Sequence, residues 1–178
     1  MNDSTKLPHE VLAETKFLRL VQAGHWTFAQ RPNAIGAVGI VAITDQRKII
    51  LVEQYRIPLG AYTIELPAGL VGDESEHDDE TIESAAFREL LEETGFEARQ
   101  MKSLATGASS GGLTDECVTL MRAEGLVHRQ PGGGNPEESI TVHLVDLADV
   151  DRWLQQQQQR GCLVDFKVYA GLYLSGTV

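Results

Sequence analysis

Along the first third of the chain, apolar and β-branched residues fall in short runs separated by turn-forming residues, the pattern of strands. Residues 11–18, 19–29 and 35–44 read as strand segments, broken by Gly24 and by Arg31-Pro32-Asn33. A turn at Asp45-Gln46-Arg47 leads into Lys48-Ile49-Ile50-Leu51-Val52-Glu53-Gln54-Tyr55-Arg56, a central strand that Pro58 ends. A hairpin follows, with residues 62–66 entering Pro67-Ala68-Gly69, read as a turn that needs Gly69 for its backbone angles. The period then lengthens to that of a helix, capped at Asp79 or Thr81, running to about Thr94 and stopped by Gly95. Strand patterns return at residues 100–107, 116–123 and 139–147, and helices are expected over 148–160 and 164–174. This order does not alternate regularly enough for a doubly wound sheet. It predicts an α+β fold, an α/β/α sandwich with a mixed β-sheet packed between helices and an antiparallel strand extension at the N-terminus.

Composition narrows the function classes. The 178 residues, 42% hydrophobic and 23% charged, suit one folded domain, with no internal repeat and no dividing linker. Fifteen Lys and Arg against 26 Asp and Glu leave a net charge of −11, which disfavours nucleic acid and anionic membranes as partners. An anionic substrate would need a divalent cation beside it. Residues 1–10 carry no targeting pattern and no apolar run approaches a membrane span, so a cytoplasmic location is expected. Cys117 and Cys162 lack metal-site spacing and read as buried free thiols. Residues 73–80, six of eight acidic, read as a solvated loop, and Gln155 to Gln159 as an exposed helical face.

The chemistry lies in Arg88-Glu89-Leu90-Leu91-Glu92-Glu93-Thr94-Gly95-Phe96. At about 100° per residue, Glu89, Glu92 and Glu93 share roughly 100° of arc, apart from Phe87, Leu90 and Leu91. Three like charges on one face repel by a few tenths of a kcal/mol per pair, a penalty that a bound cation would reverse. Clustered carboxylates suit hard ions, Mg²⁺ or Mn²⁺, and not zinc or copper. The plainer alternative is an acidic surface helix with Arg88 and Glu92 as an ion pair one turn apart.

With Glu80, this segment resembles the signature of the Nudix hydrolase family, G-x5-E-x7-R-E-U-x-E-E-x-G-U with U bulky and apolar. Glu80 and Arg88 to Phe96 match at every specified position, while ten residues instead of five separate Gly69 from Glu80, which reads as an acidic insertion. The resemblance implies that Glu89, Glu92 and Glu93 hold Mg²⁺, or Mn²⁺ in its place, with help from the Ala68 carbonyl. It also implies that Arg88 orients a ligand glutamate and that Glu80 supports the structure. The segments Glu53-Gln54-Tyr55-Arg56 and Glu65-Leu66-Pro67-Ala68-Gly69 are similar to those of ADP-ribose pyrophosphatases and nucleotide-sugar hydrolases, which puts Arg56 and Glu65 at the substrate. Ser109 to Glu116 resembles a further segment of these enzymes, with Gly111 where they carry proline, so other nucleoside diphosphate sugars stay open.

By the same likeness Glu138, with Glu137 in reserve, is the catalytic base, on a loop whose glycines permit movement. Trp26 either stacks on a nucleobase or is a buried strand aromatic, and His143 and Trp153 are assigned to packing. The implied function is Mg²⁺-dependent hydrolysis of ADP-ribose or a similar nucleotide sugar to a nucleoside monophosphate and a sugar phosphate. Alternatives are a module that senses such ligands without cleaving them, or a hydrolase of dNTPs or dinucleoside polyphosphates. The resemblance also implies a homodimer, with residues 1–34 as the dimerising extension and 35–178 as the Nudix domain.

Overall fold

The computed structural model describes residues 7–72, 80–134 and 139–176. Strands β1 (His9–Glu14), β2 (Arg19–Ala23) and β3 (Trp26–Gln30) form an antiparallel sheet of their own, with β1 exposed along its whole length. The expected strand over 11–18 stops at Glu14. There the Thr15 hydroxyl accepts from Leu18 N at 3.0 Å and donates to Leu18 O at 2.9 Å, a local bond that competes with the ladder and turns the chain.

Among the described residues ten further strands and three α-helices follow: β4 (Gly36–Ala42), β5 (Lys48–Arg56), β6 (Ala61–Glu65), β7 (Ala68–Val71), α1 (Ile82–Thr94), β8 (Phe96–Glu97), β9 (Gln100–Ala108), β10 (Cys117–Glu124), β11 (Val127–His128), β12 (Thr141–Asp146), α2 (Val150–Gln159), β13 (Leu163–Val164) and α3 (Phe166–Leu174). They build two four-stranded sheets, β7-β4-β10-β9 and β12-β5-β6-β13, and the pair β11-β8. β4 with β10 and β6 with β13 run parallel and the other pairs antiparallel, so both large sheets are mixed, as the element order implied.

Side-chain alternation divides the core in two. Val38, Ile40 and Ala42 of β4 and Ile50 of β5 join Ala85, Ala86 and Leu90 of α1. Val41 of β4 with Ile49 and Leu51 of β5 join Val150 and Leu154 of α2 and Val168 and Leu172 of α3. The sheets therefore lie between α1 on one side and α2 with α3 on the other, the expected sandwich.

Two expectations are corrected. Ala68 and Gly69 are not turn residues: β7 pairs antiparallel with β4, Val38 opposite Gly69. Gly69 is absent from the glycines with positive φ, and its requirement is space, described below. Cys162 is buried, but Cys117, first residue of β10 at the sheet's end, is exposed.

Candidate active site

Helix α1 begins where Thr81 accepts from Ser84 N at 3.1 Å and Ser84 Oγ accepts from Thr81 N at 2.9 Å, a reciprocal cap. It ends at Gly95, whose φ of 74° suits a residue without Cβ. Between these stops the buried face carries Ala85, Ala86 and Leu90, and the same turn that buries Leu90 also buries Glu93 at 3% exposure. Glu89 is largely enclosed and Glu92 half open, so the acidic face descends from solvent into the protein.

Arg88 gathers this face. Its Nε and Nη2 donate to Glu80 at 2.9 and 3.0 Å, and its Nη1 donates to Glu89 at 2.7 Å and to Glu92 at 3.4 Å. The Glu80 hydrogen bonds raise the Arg88 pKa far above its ordinary value despite burial, with Glu89 adding to the effect. The ion pair of a plain surface helix and the orienting contact to Glu89 are thus both present. Glu93 instead accepts from Ala68 N at 3.0 Å, which ties the helix to β7. A Cβ on Gly69 would run into the Glu89 carboxylate, so glycine is required for the close approach of strand to helix.

Glu89, Glu92 and Glu93 line a pocket of about 560 Å³ together with Ala68, Gly69 and Arg88. Its other walls come from β5 and β6, where Arg56 donates to both oxygens of Glu65 at 2.7 and 2.6 Å. Glu65 is 3% exposed, so Arg56 is anchored on a buried acid and not on a surface one. This contact holds the Arg56 pKa above its ordinary value against the effect of burial, with Glu93 and Asp165 adding attraction. The pocket walls hold six carboxylates against four cations. Arg31, Asp165 and Lys167, none marked by sequence reasoning as site residues, are among them.

The loop after β11 closes on the same helix. Gly133 N donates to Glu93 O at 2.8 Å and Gly134 N to Glu92 O at 3.1 Å, so the loop satisfies carbonyls that the end of α1 leaves unpaired. A Cβ on Gly132 would lie 2.5 Å from Glu93 O. The glycines, expected to permit movement, here permit contact. Glu137 and Glu138 lie outside the described residues, and Gly134 brings the chain to within three residues of Glu137.

A family model described as NUDIX domain matches residues 34–166. The chain belongs to the Nudix family. It is 38% identical to the methanol dehydrogenase activator of Bacillus methanolicus over 78% of this chain and 71% of that protein. It is 35% identical to the ADP-ribose pyrophosphatase of Bacillus subtilis, over 69% and 64%, and 32% identical to the ADP-sugar pyrophosphatase of Mus musculus, over 78% and 64%. A crystal structure of an ADP compounds hydrolase, 22% identical, matches with a TM-score of 0.65 over 98% of this chain and 96% of its own, a likeness of fold.

Nudix hydrolases generally use divalent metal ions. The pocket's oxygen-only donor set and its surplus of carboxylates fit such an ion. Among the described residues no three His, Cys, Asp or Glu side chains converge on one point as they stand, because Glu89 and Glu92 lean on Arg88 and Glu93 on Ala68.

Trp26, 53% exposed, lies in a different pocket of about 320 Å³ with His9, Phe28, Gly111, Gly112 and Asp115. Ala29 N donates to Leu113 O at 2.8 Å, so the segment resembling ADP-ribose enzymes sits against the N-terminal sheet and Trp26, while its last residue, Glu116, lines the pocket of the glutamates. His143 packs against Trp153 with the rings tilted by 58°, as a packing role implies, and its Nε2 also lies 2.9 Å from Glu53. No helix among the described residues is long and apolar enough to cross a membrane.

Proposed function

We propose that this chain is a Mg²⁺-dependent Nudix pyrophosphohydrolase that splits the diphosphate bond of a nucleoside diphosphate sugar, with ADP-ribose the leading substrate. The observation that carries the reading is the single pocket joining the signature glutamates of α1 to Arg56, anchored on the buried Glu65. Relatives named for ADP-ribose and ADP-sugar hydrolysis support the substrate class. Glu89, Glu92 and Glu93, with the Ala68 carbonyl, would hold the Mg²⁺, for which Mn²⁺ substitutes. When bound, the ion supplies positive charge for the diphosphate and acidifies water.

Arg56, rigid on Glu65, binds and orients the diphosphate, and Arg88 keeps Glu89 and Glu92 in place. Glu138, with Glu137 in reserve, takes the proton of the attacking water. The water oxygen then bonds to one phosphorus, the bridging P–O bond breaks, and the pair of electrons leaves with the departing phosphate. A base-stacking role for Trp26 requires the nucleoside to reach the separate pocket against the N-terminal sheet.

A panel of ADP-ribose, GDP-mannose, UDP-glucose, diadenosine polyphosphates and dNTPs with Mg²⁺ tests the substrate. Turnover of ADP-ribose well above the triphosphates is expected, and preference for dNTPs or dinucleotides would replace the reading. Glu93→Gln should lower kcat by at least about 100-fold. The amide oxygen still accepts from Ala68 N, so the far-UV spectrum should be retained; near-normal turnover would remove Glu93 from the machinery.

The same reading takes residues 1–34 as a dimerising extension. Exposed Val11, Leu12 and Leu20 on the N-terminal sheet support it. Light scattering should give twice the 19.5 kDa chain mass at micromolar concentration, and a single-chain mass would overturn it.

A further inference from the structure

The pocket has a second polar end that the Nudix signature does not reach. On β5, Gln54 and Arg56 fall on the pocket face, and on β6 Thr63 and Glu65 do, with Gln54 directly opposite Thr63. β13 pairs parallel with β6, Leu163 beside Thr63, and Asp165 N then donates to Ile64 O at 3.0 Å. This register delivers the start of α3 to the pocket rim. Asp165 accepts from Lys167 N at 2.7 Å and its other oxygen contacts Lys167 Nζ, so the cap of the helix also fixes the ammonium. Arg56 lines the same pocket as Glu93 and Asp165 and is attracted by both.

Thr63 gives an independent sign of a ligand. It is 3% exposed, and its Oγ1 is buried without a hydrogen-bond partner. A hydroxyl left so is costly unless something outside the chain accepts from it.

We propose that Lys167, tethered by Asp165, is a substrate-binding residue that grips the phosphoryl group of the diphosphate farther from the α1 glutamates, with the Thr63 hydroxyl and Arg56 as further donors. Lys167 and Arg56 each keep N–H donors beyond those given to Asp165 and Glu65, and a tetrahedral anion accepts from several directions. This assignment rests on the diphosphate reading above.

Imidodiphosphate with Mg²⁺, titrated calorimetrically into the full chain, tests it without requiring turnover. Lys167→Met should weaken binding by about tenfold and Thr63→Val by a smaller factor, with Lys167→Arg recovering most of the loss. For ADP-ribose, KM should rise by a similar factor while kcat stays within about threefold. The Lys167 N–H that Asp165 caps survives in the Met variant, so its melting should stay near wild type. Unchanged imidodiphosphate affinity in Lys167→Met, or no binding by the wild-type chain, would overturn the assignment. If the affinity loss appears in a protein that cleaves no nucleotide sugar, the assignment stands and the substrate reading falls.

Discussion

Single atoms decide whether this site can assemble. A methyl group at Gly69 would occupy the position of the Glu89 carboxylate, so Gly69→Ala must push that side chain aside or part β7 from α1. The expected cost is about 1–3 kcal/mol in chemical denaturation, with a large loss of turnover in the same preparation. Glu53 gives a pH-dependent counterpart on the other face of β5. Burial would raise its pKa, but hydrogen bonds from Arg160 at 2.7 Å and with His143 at 2.9 Å outweigh that and lower it. A carboxylate with a depressed folded pKa contributes stability above its ordinary value and loses it as pH falls through the folded one. The gap in melting temperature between wild type and Glu53→Gln should therefore be full near neutrality and shrink below about pH 4. A gap independent of pH would remove Glu53 from that role. Spacing on one helix marked Glu89, Glu92 and Glu93, a local fact, and only the resemblance to nucleotide-sugar hydrolases marked Arg56. Arg31 and Lys167 reach the pocket only through strand register, which leaves no mark in their own neighbourhood.

Elements were legible to the extent that their ends are locally coded. Thr81 and Gly95 bound α1 in the structure where the chain's polar punctuation predicted, and Thr81→Ala should cost about 1 kcal/mol, read as a shifted urea midpoint with unchanged slope. β7 was misread because Pro67-Ala68-Gly69 carries turn chemistry, while its strand geometry is imposed by β4, about 30 residues earlier. The glycine loop beyond β11 was found, but its contact with the last carbonyls of α1 is visible only in the folded chain. Gly132→Ala should loosen that contact and lower kcat more than it raises KM, if the loop serves to bring Glu137 and Glu138 toward Glu92 and Glu93. An equal effect on both constants would argue for a general weakening of the site.

For the whole molecule, the element order announced a sandwich, but the division into two large sheets and the sidedness of the helices come from pairings far apart in sequence, such as β4 with β10 and β6 with β13. That arrangement brings a strongly acidic pocket into a chain already carrying −11. Arg88 answers the resulting self-repulsion from within, with one guanidinium spread over Glu80, Glu89 and Glu92. A built-in counterion lets the polypeptide reach its final shape in surroundings poor in magnesium and load the ion afterwards. Chelator should then silence the protein without melting it, whereas Arg88→Met should unfold at clearly lower temperature in chelator than in magnesium. Cation supply would in that case govern how fast each molecule works and leave the number of folded molecules untouched.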